Sequence, residues 1–147
     1  MKEQKIAVIG MGMWGKNIVR NFYNLNALEM VCDLDDESLK SVQEQFPGVK
    51  VTKDFNDIIN NPDITGVAVV TPSHTHFKIV KAMLEAGKNV YVEKPISTVA
   101  EEAKVLTELA ESKGLVLMVD HLLLYHPAVN RLKMLIEEGV LGELVYA

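Results

Sequence analysis

Gly10-Met11-Gly12-Met13-Trp14-Gly15 lies between an apolar run, Ile6–Ile9, and a helical pattern over residues 16–25, in which Ile18, Val19, Phe22 and Leu25 share a face. A strand that turns at once into a helix needs the first glycine for the tight turn. The second lets a pyrophosphate approach the backbone, and the third lets helix and strand pack closely. The helix start adds unpaired N–H groups and a partial positive charge suited to phosphates. Alone, such a triplet is a glycine-rich turn. Flanked by strand and helix, Gly10, Met11, Gly12, Met13, Trp14 and Gly15 read as a dinucleotide loop.

The remaining sequence repeats the same alternation. Strands are expected at Leu28–Cys32, 49–51, 64–70, 90–92 and 115–119. Between them run helical patterns at 37–46, closed by Pro47-Gly48, at 55–59, and at 77–86 with Gly87 behind it. A longer amphipathic helix is expected at 98–113, with Val99, Ala103, Leu106 and Ala110 as its stripe and Gly114 as its stop. A last helix over 128–138 leads through Gly139 and Gly142 into 143–147, where another strand would begin. Strand-sized apolar runs alternating with helices specify an α/β fold, a Rossmann-type doubly wound parallel sheet.

At 147 residues the chain has the size of one domain, and its net charge of −5 comes with no basic run or basic face. That excludes nucleic acid and anionic membrane surfaces as expected partners. The apolar stretches are strand-sized, too short to span a bilayer, and Met1-Lys2-Glu3-Gln4-Lys5 is no signal peptide. The single cysteine, Cys32, allows no internal disulfide and is expected as a buried core thiol in a cytoplasmic protein.

Asp33 follows the second strand at the distance from the glycine loop expected of a ribose-binding acid. Its carboxylate accepts ribose hydroxyls and repels a 2′-phosphate. Leu34 lies beside it, and no arginine is near, so NAD is favoured over NADP. Asp35 and Asp36 open the next helix and read as caps. Thr71-Pro72-Ser73-His74-Thr75-His76 leaves the fourth strand and opens a helix. Thr71, Pro72, His74 and His76 should therefore border the cofactor, with Thr71 or Ser73 able to cap the helix. No cysteine or acid stands close enough to these histidines for a metal set. His121, after Asp120, reaches the same rim, whereas His126 reads as a surface or packing residue. The fifth strand ends in Glu93-Lys94-Pro95. Ligands of open α/β sheets collect at strand carboxyl ends, and a lysine there can move protons.

The combination Gly10-x-Gly12-x-x-Gly15, Asp33, Thr71-Pro72 with His76, and Glu93-Lys94-Pro95 resembles the glucose–fructose oxidoreductase / inositol dehydrogenase / MocA family over residues 5–147. The resemblance implies an NAD-binding domain over 1–142, with 143–147 the first residues of a second, substrate-binding α/β domain that is otherwise missing. It implies that Lys94 polarises the reacting hydroxyl or carbonyl as a catalytic group, that Pro95 is cis, and that His76 is the family's usual histidine. His74 falls on a variable position. Residues 119–129 look like the subgroup acting on nucleotide sugars, such as UDP-N-acetylglucosamine 3-dehydrogenases, although Leu124 stands where many members carry arginine. The expected function is the NAD-binding half of a sugar dehydrogenase. It would transfer hydride between nicotinamide and a secondary hydroxyl of a sugar, polyol or nucleotide sugar, and the chain alone would be an inactive fragment. A homo-oligomer is expected. The alternative is a non-catalytic NAD-binding regulatory or interaction module.

Overall fold

The computed structural model describes residues 4–143 and 145. Six parallel strands form its sheet: β1 (Ile6–Ile9), β2 (Leu28–Cys32), β3 (Lys50–Thr52), β4 (Gly66–Val69), β5 (Asn89–Val92) and β6 (Leu117–Val119). Their order is β3-β2-β1-β4-β5-β6, the Rossmann arrangement, with the strand order reversing between β1 and β4. Helices α1 (Gly15–Asn24), α2 (Asp36–Gln45), α3 (Asn56–Ile59), α4 (His76–Glu85) and α5 (Ala100–Lys113) connect the strands, and α6 (Pro127–Glu137) follows β6.

Both faces of the sheet are covered, as the unbroken apolar strands require. On one face Val8 and Val31 pack with Val19 of α1 and Leu39 and Val42 of α2. On the other Ala7, Ile9, Val67 and Val69 pack with Ile79, Val80 and Met83 of α4 and Leu106 and Ala110 of α5. Cys32 is buried and free.

Several boundaries differ from expectation. Strand β4 is shorter than 64–70: Ile64 and Val70 lie outside it, although both are buried. Strand β6 starts at Leu117, since the Leu115 N–H donates to the Ala110 carbonyl in closing α5. Val99 precedes α5 and is about half exposed, and Leu25 caps α1 and is exposed, so neither belongs to its helix's buried stripe. Asp35 caps α2, accepting from the Ser38 N–H at 2.8 Å, while Asp36 lies inside the first turn and pairs with Lys53. The expected strand start at 143–147 falls largely on residues outside the described ones. Among the described residues, no helix is long and apolar enough to cross a membrane.

Candidate functional site

The three glycines of the loop serve distinct purposes. Gly10 has φ +102°, and a Cβ there would lie 2.6 Å from the Val70 carbonyl oxygen. A Cβ on Gly15 would lie 2.1 Å from the Gly10 carbonyl oxygen, so α1 can start only if this residue is bare. Gly12 is different. A Cβ on it would meet nothing within 4 Å, and its φ is not in the left-handed range. Neither packing nor backbone conformation of the chain requires glycine there. The bare backbone there leaves room for a ligand to approach it.

Asp33 is built into this loop. One carboxylate oxygen accepts from the Met11 N–H at 2.5 Å and the other from the Asp35 N–H at 2.9 Å. Two backbone donors thus fix the carboxylate, and an ionised carboxylate still has capacity for further donors such as hydroxyls. Leu34 beside it is exposed, as are Met13 and Trp14 of the glycine loop.

At the β4 exit, Pro72 starts a single 3-10 turn, Ser73–Thr75, that leads into α4. Neither Thr71 nor Ser73 caps α4, contrary to expectation: Thr75 precedes the helix and no side chain caps it. The Thr71 and Thr75 hydroxyls are committed to each other instead. Thr75 Oγ1 donates to the Pro72 carbonyl at 2.7 Å, which leaves its lone pairs to accept from Thr71 Oγ1, also at 2.7 Å. His74 is exposed, whereas His76 is 1% exposed and has both ring nitrogens on backbone carbonyls.

At the β5 exit, Glu93 is buried and the next residue, Lys94, is exposed before a cis Lys94-Pro95 bond. Register places Val92 beside Val119, so Glu93 and Asp120 follow side by side. Burial first, then the Asp120 charge and hydrogen bonding, raises the Glu93 carboxyl above its ordinary value of 4.5. A carboxyl raised on folding contributes stability below its unfolded value, and that contribution disappears as pH rises through the folded value. Glu93→Gln is therefore expected to melt higher than the wild-type chain at neutral pH, with the difference shrinking as pH falls toward 4.5. Thermal melts at several pH values check this, and a variant that melts lower throughout contradicts it.

Three clefts run along this edge of the sheet. The largest, about 810 Å³, lies over the β1–β4 reversal and is lined by Gly10, Asp33, Thr71, Pro72 and His74, among others. It adjoins a cleft of about 250 Å³ that shares Gly12, Thr71 and Pro72 with it and adds Met13, Trp14, His76, Glu93 and Lys94. Lys94 also borders a third, about 590 Å³, with Asp120, His121 and the apolar Leu122, Leu123 and Leu124. Lys94 thus stands where the second and third clefts meet. His126, outside these clefts, accepts from the Ala128 N–H and caps α6. Among the described residues, no group of three or more His, Cys, Asp or Glu is placed to hold a metal.

Sequence reasoning overlooked part of the lining. Lys53, Asp54 and Phe55 reach the largest cleft because they follow β3, whose carboxyl end shares the site edge, and Lys78 reaches it from α4. The topological rule that pointed to Lys94 could have found the β3 group. Burial of Cys32, with Asp33, Asp54 and Asp57 nearby, pushes its thiol up to about 11, so it is a wall of the cleft and not a nucleophile.

Comparison with known proteins is consistent with this geometry. Residues 4–121 match the profile of the oxidoreductase family with an NAD-binding Rossmann fold. The chain is 30% identical to the scyllo-inositol 2-dehydrogenase (NADP(+)) of Bacillus subtilis, over 95% of this chain and 39% of that protein. Scyllo-inositol dehydrogenase from Lactobacillus casei, solved with bound NAD(H) and scyllo-inositol, superposes with a TM-score of 0.86 at 25% identity, covering 97% of this chain and 43% of that one. UDP-N-acetylglucosamine 3-dehydrogenase from Acidithiobacillus ferrooxidans gives 0.82 at 27% identity, covering 91% and 43%. The chain thus spans about two fifths of the length of these relatives.

Proposed function

The chain belongs to the glucose–fructose oxidoreductase / inositol dehydrogenase / MocA family of oxidoreductases with an NAD-binding Rossmann fold, and on that premise we propose that it is the NAD-binding half of a dehydrogenase for a sugar, polyol or nucleotide sugar. The observation that carries the reading is Gly12. It is a glycine that the protein's own packing does not need, at the mouth of two clefts that lead from Asp33 to Lys94.

In this reading the adenosine ribose lies against Asp33, whose fixed carboxylate accepts its hydroxyls. The pyrophosphate lies over residues 10–15 at the start of α1. When bound, the nicotinamide supplies the hydride acceptor or donor. The chain's residues handle position and protons. Thr71, Pro72 and His74 border the path, and Lys94 Nζ exchanges a proton with the reacting oxygen. Glu93 and Asp120 set the charge behind Lys94, and His121 borders the rim on the far side. The substrate is taken as a small sugar or sugar nucleotide bound mainly by groups beyond this domain, and the whole enzyme as a cytoplasmic homo-oligomer.

NAD is preferred to NADP because a 2′-phosphate would approach Asp33 and Asp35, and Lys53 is already paired with Asp36 at 2.7 Å. Calorimetric titration of the chain is expected to give saturable NADH binding, with NADPH at least about tenfold weaker, roughly 1.4 kcal/mol. Asp33→Asn keeps an acceptor for the Met11 N–H but loses the charge, and should narrow that gap. Tighter binding of NADPH than NADH to the wild-type chain would overturn the cofactor assignment.

A further inference from the structure

We propose that His76 is a positioning residue for Lys94, donating from both ring nitrogens at once to hold the exits of β4 and β5 at a fixed spacing. Its ring lies between two backbone carbonyls. Nδ1 is 2.8 Å from the Pro95 oxygen and Nε2 is 2.7 Å from the Thr71 oxygen, and the residue is 1% exposed. Carbonyl oxygens only accept. A neutral imidazole has one N–H and one lone pair, so with a neutral ring one of these contacts would set a lone pair against a carbonyl. Both contacts are hydrogen bonds only when the ring carries two N–H groups. One of the carbonyls belongs to the residue immediately after Lys94. The other belongs to Thr71, on the wall shared by the first two clefts. The ring therefore sets where the lysine leaves the sheet relative to the cofactor path. It has no nitrogen left over to bind ligand directly.

Charged groups are few around the cleft of about 250 Å³ that His76 lines. The β4 exit contributes Thr71, Pro72 and Ser73, and the glycine loop contributes Gly12, Met13 and Trp14, none of them charged. The β5 exit contributes Glu93 and Lys94, with Asp120 of the β6 exit next to Glu93. On its own helix the nearest charge is Lys78, and the positive end of α4 opposes a cation at this position. The two carbonyl acceptors offset that opposition. The ring thus sits with both nitrogens engaged between the exit of β4 and the exit of β5.

The role assigned to Lys94 rests on the dehydrogenase reading, but the state of the ring is measured without any cofactor. Long-range proton–nitrogen spectra of the 147-residue chain labelled with nitrogen-15 histidine report every ring. His74, His121 and His126 are exposed, so the signal protected from solvent exchange belongs to His76. The expected result at neutral pH is two slowly exchanging N–H protons on that ring, retained after the exposed rings have lost theirs. A single ring N–H overturns the proposal. A second arm tests positioning. His76→Asn keeps one donor and is expected to lower NADH affinity about tenfold in a chain with an unchanged circular-dichroism spectrum. His126→Asn, at the start of α6, should leave affinity unchanged. Wild-type affinity in folded His76→Asn contradicts the positioning role. Failure of the wild-type chain to bind NADH sinks the dehydrogenase reading instead, and the ring spectrum still decides the state of His76.

Discussion

Gly15→Ala is expected to abolish NADH binding and to cost about 3 kcal/mol of stability, whereas Gly12→Ala should lose affinity with stability unchanged within about 0.5 kcal/mol. The difference follows from what each added methyl group meets. At residue 15 it would sit 2.1 Å from the Gly10 carbonyl oxygen, a backbone atom that cannot swing aside as a side chain does. Gly10 is itself fixed, since its N–H donates to the Cys32 carbonyl at 2.8 Å and any Cβ on it would strike Val70. Relief would therefore require moving the start of α1 away from β1, which uncovers Val19 against Val8. At residue 12 the methyl group points into open space within 4 Å, so only an approaching ligand feels it. Denaturant melts and NADH titrations on both variants separate the two effects. Equal losses of stability would show that Gly12 is a structural glycine after all, and would remove the main support for the cofactor site.

Lys88→Met is expected to destabilise the chain by about 2–3 kcal/mol without disturbing the cofactor edge. Lys88 is buried just before β5, at the opposite end of that strand from Lys94. Its ammonium donates to the Asn61 carbonyl at 2.6 Å and the Ile64 carbonyl at 2.9 Å, tying the loop after α3 to the approach of β4. Methionine matches the stem but leaves both carbonyls without their donor, at about 1–3 kcal/mol each before relaxation. Removing the buried charge offsets part of that loss. Burial also lowers the Lys88 amine below its ordinary value of 10.5. The unfolded chain then binds more protons than the folded one between the two values, so Lys88 adds stability as pH rises toward 10.5. Urea melts of wild type and variant should diverge further at alkaline pH. An unchanged midpoint in Lys88→Met would mean that water replaces the ammonium at both carbonyls.

The sequence made the sheet and the loop legible because both depend on short-range chemistry. Strand-length apolar runs separated by helical patterns leave one economical topology, and β1 and β2 match their expected bounds. Asp35 is recognisable as a cap from its place before α2. Less legible were features set by how two segments cross. Whether Thr71 turns outward or bonds to Thr75 depends on the 3-10 turn before α4, which has no periodic signature. His76 looks in sequence like a ligand-facing histidine, and its carbonyl partners lie 5 and 19 residues away, fixed only by the packing of α4 on the β5 exit. Glu93 reads in sequence as part of the strand-end site with Lys94, but its place beside Asp120 and the burial that raises its carboxyl depend on the packing of β5 on β6. Lys53 and Asp54 went unnoticed because β3 is only three residues long, and its shared edge with β2 carries them to the cleft.

On the dehydrogenase reading, one dinucleotide lies along the strand ends from Asp33 to Lys94. An amide chemical-shift map of the chain titrated with NADH tests it most directly. Shifts are predicted at Gly12, Asp33, Thr71 and Lys94 in one saturating process, with Lys88 and the α1–α2 groove around Arg20 and Ser41 unmoved. Shifts centred on that groove, or none at millimolar NADH, would contradict it.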